Sequence, residues 1–378
     1  MSSARRRWLR RSSGWKRQTP RNDLGGVPCI LPAMKILLTG AAGFVGSHVL
    51  RHLLATTDAG IVCPVSFRHK GLPARIASAV HGLDWQQRVD IVHWDMRAPA
   101  DPLTLRTFEG CDVIMNVASE SHVDRSIEDP VGFTTNNVAL MLNILEVARK
   151  IQPRLVLQMS TDEVYGPAYG THRHKEWEAV VPSNPYSGSK AAQEAIATAY
   201  WRTYGVPLII TNTMNIIGET QDPEKFVPMV IRNLRDQQHI TVHTSPDGTP
   251  GSRFYLHARN LADAWLFLTQ RTEEVPDVIS MYSGGASRPN RFHIVGEREV
   301  DNVAMVHQVA AAMGMEQDAA DRLIVPVSFH ASRPGHDLRY ALDGTWLASI
   351  GWKPPVSLEE SLERTVKWTL ERPEWLAV

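Results

Sequence analysis

Cysteine is scarce: the 378 residues hold three, Cys29, Cys63 and Cys111, with no Cys-x-x-Cys pair. That excludes a disulfide framework and a cysteine-based zinc site, and makes a reducing, cytoplasmic setting the expectation. Long apolar runs are missing as well. No stretch approaches the roughly 18 residues of a membrane span, so no membrane partner is expected. An excess of charge of either sign is also absent, with 40 basic residues against 40 acidic ones. The electrostatic case for a nucleic-acid partner is therefore lacking. Metal-ligand spacing is wanting too: His172, His174 and Lys175 read as a solvated basic loop with no third ligand, and no metal is expected.

What is present suits a large folded core and two lobes, at 43% hydrophobic residues. The balanced charge is unevenly spread. Residues 1–33 carry eight basic side chains against one acid, Asp23, leaving the remainder at minus seven. An Arg- and Ser-rich, acid-poor segment of this kind reads as a disordered extension, with a transit peptide or a basic arm as alternatives. Met34 directly abuts the first strand and is a candidate start.

From Ile36-Leu37-Leu38 the chain runs through Thr39 into Gly40-x-x-Gly43-x-x-Gly46, and Ser47-His48-Val49-Leu50 opens a helix. Glycines at a strand-to-helix turn allow a tight bend and close approach of a pyrophosphate to the helix N-terminus. Gly40, Gly43, Phe44, Val45 and Gly46 are thus expected to hold a dinucleotide. Beyond them short apolar strands alternate with helical stretches: Val89–His93, Val113–Val117, Leu155–Met159 and Leu208–Thr211. The pattern predicts an α/β fold with a doubly wound parallel sheet of Rossmann type, spanning 34–214. A smaller, Pro-rich substrate lobe follows over 215–378, with segments near 252–272 returning to the main sheet. Val131–Lys150 has a helical rhythm that places Val138, Leu142, Leu145 and Val147 on a buried face. Phe292–Gly296 reads as a strand edging the substrate lobe.

The chemistry concentrates in Ser160-Thr161-Asp162-Glu163-Val164-Tyr165-Gly166 and in Tyr186-x-x-x-Lys190. Residues four apart share a helix face, so the Lys190 ammonium is expected to lower the Tyr186 phenol toward neutrality. Such a Tyr takes a hydroxyl proton while hydride leaves the same carbon. Asp162 and Glu163 add a second acid and a second base, which points to oxidation coupled to elimination of water. On a strand the two would face opposite sides, so both act at one site only if the strand ends there.

These motifs resemble the extended short-chain dehydrogenase/reductases, and within them the nucleoside-diphosphate-sugar 4,6-dehydratases. The likeness runs from Met34 to about Trp375 and includes Ala118–Ser126, Pro223–Pro228 and Arg333–Asp337. The resemblance implies a lyase that converts a nucleotide-diphosphate hexose, dTDP-glucose foremost, to its 4-keto-6-deoxy product. UDP-, GDP- and CDP-linked hexoses stay open. Thr161, Asp162, Glu163, Tyr186 and Lys190 are the implied catalytic set, with NAD or NADP tightly held and regenerated in each turnover. Asp95 and Met96 are implied at the adenine, and Ala118, Tyr186 and Lys190 also at the cofactor. Ser66 and Arg68 follow a second strand that lacks the usual ribose-binding acid, which keeps NADP open beside NAD. The resemblance further implies Asn215, Lys225 and Arg253 at the diphosphate and Ser121 and Glu176 at the sugar. Arg333 and His336 are implied in a loop around the nucleotide. A homodimer through the Val131–Lys150 and Pro185–Tyr204 helices is implied too. The rival readings are a 4-epimerase or uronate decarboxylase, which give the acid pair no task, and a nonenzymatic dinucleotide sensor.

Overall fold

The computed structural model describes residues 34–271, 288–328 and 337–377. Arg333 and His336 lie outside the described residues. The strands, in chain order, begin with β1 (Lys35–Thr39), β2 (Gly60–Val65), β3 (Val89–His93) and β4 (Val113–Asn116). There follow β5 (Leu155–Thr161), β6 (Leu208–Thr213), β7 (Asn215–Ile217) and β8 (Ile240–Thr244). The last are β9 (Ser252–His257), β10 (Asn290–Ile294), β11 (Glu299–Asp301) and β12 (Ile324–Ser328).

Seven strands form one parallel sheet in the order β10-β6-β5-β4-β1-β2-β3. The middle of β1 is apolar because both of its faces are covered: Ile36 and Leu38 join one core and Leu37 the other. The strand order reverses between β1 and β4, the switch point at which such sheets open a cleft beyond their carboxyl ends. Thr39 pins that point. Its hydroxyl donates to Asn116 Oδ1 (2.6 Å) and accepts from the amides of Val117 and Ala118, each at 3.1 Å.

Three expectations need correction. β9 does not return to the main sheet; it pairs with β7 and β11 in a three-stranded sheet of its own. What returns is the helix after it, Ala258–Arg271, whose Leu261, Trp265 and Leu268 are buried against the Phe44–Thr56 helix. The seventh strand is instead β10, read from sequence as an edge of the substrate lobe. Phe292 and Ile294 enter the main core, while His293 and Arg291 reach Tyr165 across the opposite face. In the Pro130–Ile151 helix the buried stripe is Asn137, Met141, Ile144, Leu145 and Ala148, at i, i+4 and i+3 steps. Leu142 falls off that stripe and is 38% exposed.

A separate core fills the second lobe, where Val227, Val230, Ile231 and Leu234 meet Met305, Val306, Val309, Leu362 and Val366. No helix among the described residues is long and apolar enough to cross a membrane.

Candidate active site

The glycine turn closes on its own backbone. A Cβ on Gly46 would stand 2.0 Å from Gly40 O, and one on Gly40 (φ +74°) would stand 2.9 Å from Ala118 N. Only hydrogen fits at either place. Gly43 caps the Phe44–Thr56 helix with no side-chain partner for the first-turn amides, leaving them for an anion. A cleft of about 380 Å³ runs from this turn along the carboxyl edge of the sheet.

At the far end of the cleft β5 stops at Thr161, and Asp162–Tyr165 turn away as a single 3₁₀ turn. Ending there brings Asp162 and Glu163 into the same cleft instead of onto opposite faces. The turn is held locally: Thr161 Oγ1 donates to Asp162 Oδ1 (2.8 Å), and Glu163 N–H donates to Asp162 Oδ1 (3.0 Å). Asp162 Oδ2 is buried and has no hydrogen-bond partner. Burial first, and the neighbouring Glu163 second, push the Asp162 carboxyl up to about 7. Burial raises Glu163 too, opposed by the Asn184 amide, which donates at 3.2 Å, and by the charges of Arg253 and Lys225. Both carboxyls are thus held above the ordinary carboxylate range, Asp162 with one oxygen left without a donor and Glu163 with the Asn184 amide donating to it.

Asn184-Pro185-Tyr186-Ser187 starts the Pro185–Tyr204 helix with a reciprocal capping box and Pro in the first turn. This presents Tyr186 and, one turn on, Lys190 to the cleft. The expected lowering of the phenol by Lys190 is not what the arrangement gives. Burial raises Tyr186, and Glu163 and Asp162 add to it, against hydrogen bonding with Thr161. The Lys190 ammonium donates to Met159 O (2.8 Å) and Gln193 Oε1 (2.7 Å), and burial pushes it down to about 8 against the pull of Glu194.

The remaining expected cofactor contacts, Ser66, Arg68, Asp95, Met96 and Ala118, all line the cleft, as do Ser121, Asn215 and Lys225. Arg68, read above as a group that keeps NADP open, and the nearby Lys70 each face a carboxylate at a half-exposed position. Arg68 bonds Asp95 at 2.9 Å, Arg97 joins the same carboxylate oxygen at 2.7 Å, and Lys70 bonds Glu224 at 3.2 Å. Glycines that admit a pyrophosphate and an unsatisfied helix N-terminus fit an NAD-type dinucleotide.

Arg253 and Glu176 are not brought to the cleft wall. Arg253 lies behind the acid pair, donating to the carbonyls of Ser252, Asp337 and Leu338 and covering the Tyr340 ring. Glu176 is buried beside β10, where the His293 amide faces it at 3.4 Å, and burial pushes its carboxyl up to about 7. Sequence reading also missed Glu224, which gathers Lys70, Arg125 (3.2 Å) and His122 (3.6 Å) at the cleft mouth. Its position beside Lys225 was the one available signal. A further omission is Glu178, which meets His172 and His174.

A glycine turn at the switch point of a doubly wound sheet, facing a Tyr-x-x-x-Lys helix, defines a Rossmann-type dinucleotide protein. Residues 36–281 match the NAD dependent epimerase/dehydratase family. The dTDP-glucose 4,6-dehydratase of Salmonella typhimurium is 31% identical, over 91% of this chain and 94% of that protein. A probable dTDP-glucose 4,6-dehydratase of Sinorhizobium fredii is 33% identical, over 90% and 94%. The dTDP-glucose 4,6-dehydratase of Streptomyces venezuelae, solved with NAD bound, superposes with a TM-score of 0.76 at 32% identity, covering 90% of this chain and 98% of that one. The chain belongs to the NAD dependent epimerase/dehydratase family.

Proposed function

We propose that the protein is an NAD-dependent nucleotide-sugar 4,6-dehydratase, with dTDP-glucose the foremost substrate. The observation that carries this is Asp162: a buried carboxyl held up to about 7, with an unpartnered oxygen in the cleft wall, next to a second carboxyl. A 4-epimerase has no use for such a pair.

The nicotinamide, when bound, supplies the hydride acceptor at C4 and the hydride donor at C6. Tyr186 accepts the C4 hydroxyl proton, and Thr161, within hydrogen-bond reach of the phenol, helps to place that oxygen. Tyr186 must enter this step as the phenolate and leaves it as the phenol, and the Lys190 ammonium, tied to Met159 and Gln193, favours that starting phenolate. The C4 ketone makes the C5 hydrogen acidic, and Glu163 removes it as general base. Asp162 protonates the C6 hydroxyl, which leaves as water. A proton then returns to C5 as C6 is reduced, giving the 4-keto-6-deoxy sugar. The cofactor ends each cycle as it began, so it stays tightly bound.

Helix-terminal amides and the Gly40–Gly46 turn hold the NAD pyrophosphate, with Asp95 and Met96 at the adenine. Asn215 and Lys225 contact the substrate diphosphate, and Arg253 acts on the acid pair from behind. The protein works as a homodimer, supported by apolar side chains left exposed on the two implied helices: Val131 (76%), Leu142 (38%) and Tyr204 (39%). Two buried free thiols, Cys63 and Cys111, support a reducing, cytoplasmic setting.

The reaction is tested in D₂O, with the product read by NMR. Elimination by Glu163 requires solvent deuterium at C5. An unlabelled C5 with inverted C4 would assign the protein to the epimerases.

A further inference from the structure

Outside the cleft, the loop between Gly166 and Asn184 brings Glu178, which the sequence reading left out, onto His172 and His174. His172 Nε2 lies 3.0 Å and His174 Nδ1 2.8 Å from one atom, Glu178 Oε2. All three donor atoms fall within 4.8 Å of one another. We propose that His172, His174 and Glu178 form a site for a borderline-soft divalent cation such as Zn²⁺, with its fourth position open to solvent.

Two nitrogens and a carboxylate oxygen, each about 2.0–2.1 Å from a tetrahedral ion, stand roughly 3.3 Å apart, so the two spacings to Glu178 need only small outward shifts. Imidazole donors select zinc and its transition-metal neighbours over Mg²⁺ and Ca²⁺. The loop is built to keep the three in place. His174 N–H donates to Ala341 O (2.9 Å), Asp343 N–H donates to His174 O (2.8 Å), and Arg339 Nη1 donates to His172 O (2.7 Å). The His174 ring stacks on Tyr165 at 5.3 Å and 14°. His174 Nε2 is buried with no partner, so metal binding at Nδ1 places the ring proton on an unpaired nitrogen, a cost that the metal bond must offset. Neighbouring cations are engaged elsewhere: Arg173 lies 4.9 Å over the Phe254 ring, and Lys175 acts on Asp343.

The buried trio His48, Glu219 and His257 also converges, but its donors are consumed. His257 Nδ1 accepts from Arg259 (3.0 and 3.2 Å), which leaves the proton on Nε2 for Glu219 Oε2 (3.1 Å). Arg364 holds the other Glu219 oxygen. At the His172, His174 and Glu178 trio the donor atoms meet no arginine among the described residues, and the Glu178 carboxylate has only the Lys175 backbone amide besides the two rings. Because Tyr165 ends the turn that carries Asp162 and Glu163, an ion here would steady that turn through one stacked ring.

The test is calorimetric titration of the full, tag-free chain with Zn²⁺. One saturable ion per chain is expected, with Mg²⁺ giving none, and with His172→Ala or Glu178→Gln each weakening zinc at least tenfold. Absence of saturable binding would overturn the proposal. So would zinc binding that survives both substitutions. Co²⁺ on the unsubstituted chain gives an independent readout: intense visible absorption of a four-coordinate ion is expected, and the weak absorption of a hexa-aquo-like ion would contradict it.

Discussion

Asp162 carries an unfavourable ionisation into the folded state. Its folded pKa of about 7 stands above the ordinary 3.8, so between roughly pH 4 and 7 the folded chain binds more protons than the unfolded one. Stability attributable to this group therefore falls as pH rises through that window, and the loss is complete above it. Asp162→Asn keeps an oxygen for Thr161 and the Glu163 amide but cannot ionise. We predict that its stability gain over the unsubstituted chain grows from pH 4 to pH 7, reaching at most about 4 kcal/mol. Turnover should meanwhile drop by at least about a hundredfold, as loss of a general acid does. Denaturant melts at pH 5 and pH 8 read the first effect, and equal differences at both would contradict it. Tyr186→Phe should abolish turnover yet bind NAD within a few fold of the unsubstituted chain, measured by cofactor titration. Residual turnover would take the phenol out of the proton transfer. At this scale the residue types were legible in sequence, but the charges were not. Tyr186 and Lys190 are four apart as a helix requires, yet burial overrode the simple attraction between them, because desolvation is set by neighbours distant in the chain.

The strand–turn–helix at the switch point depends on hydrogen at Gly46. A methyl group there meets Gly40 O at 2.0 Å, a backbone atom that cannot rotate away. Gly46→Ala should open the turn, weaken NAD by more than tenfold and lower Tm by several degrees. An unchanged NAD affinity would show that this turn does not hold the pyrophosphate. The turn was readable because glycine spacing reports backbone geometry directly. β10 was not. Its alternation of Phe292 and Ile294 with Arg291 and His293 reads the same in either lobe, and only pairing with β6 fixes its place. The loop after β2 was equally hidden. Phe67 and His69 both adopt φ 50°, a conformation that neither residue type announces, and Arg68 turns to Asp95 in consequence of where that loop runs. Glu178 was missed for a related reason: spacing along the chain does not show that a loop folds back on its own histidines.

At the scale of the whole molecule, a parallel sheet and a second lobe with its own core leave the Pro130–Ile151 and Pro185–Tyr204 helices with apolar side chains in solvent. Leu142→Arg should convert the proposed dimer to a monomer, as read by light scattering. A protein already monomeric before the change would contradict the dimer. The alternation of strands and helices was enough to give the sheet, because a periodic pattern repeated many times outweighs local ambiguity. The destination of β9 was not, since it depends on β10 taking the edge beside β6, which leaves β9 to pair with β7 and β11.

The central claim is that the acid pair makes an oxidation into a dehydration. Mass spectrometry of the purified protein with a panel of nucleotide hexoses tests it most directly. The account predicts loss of one water from one member, dTDP-glucose first. An unchanged mass with inverted C4 would contradict it, and would leave Asp162 and Glu163 without a task.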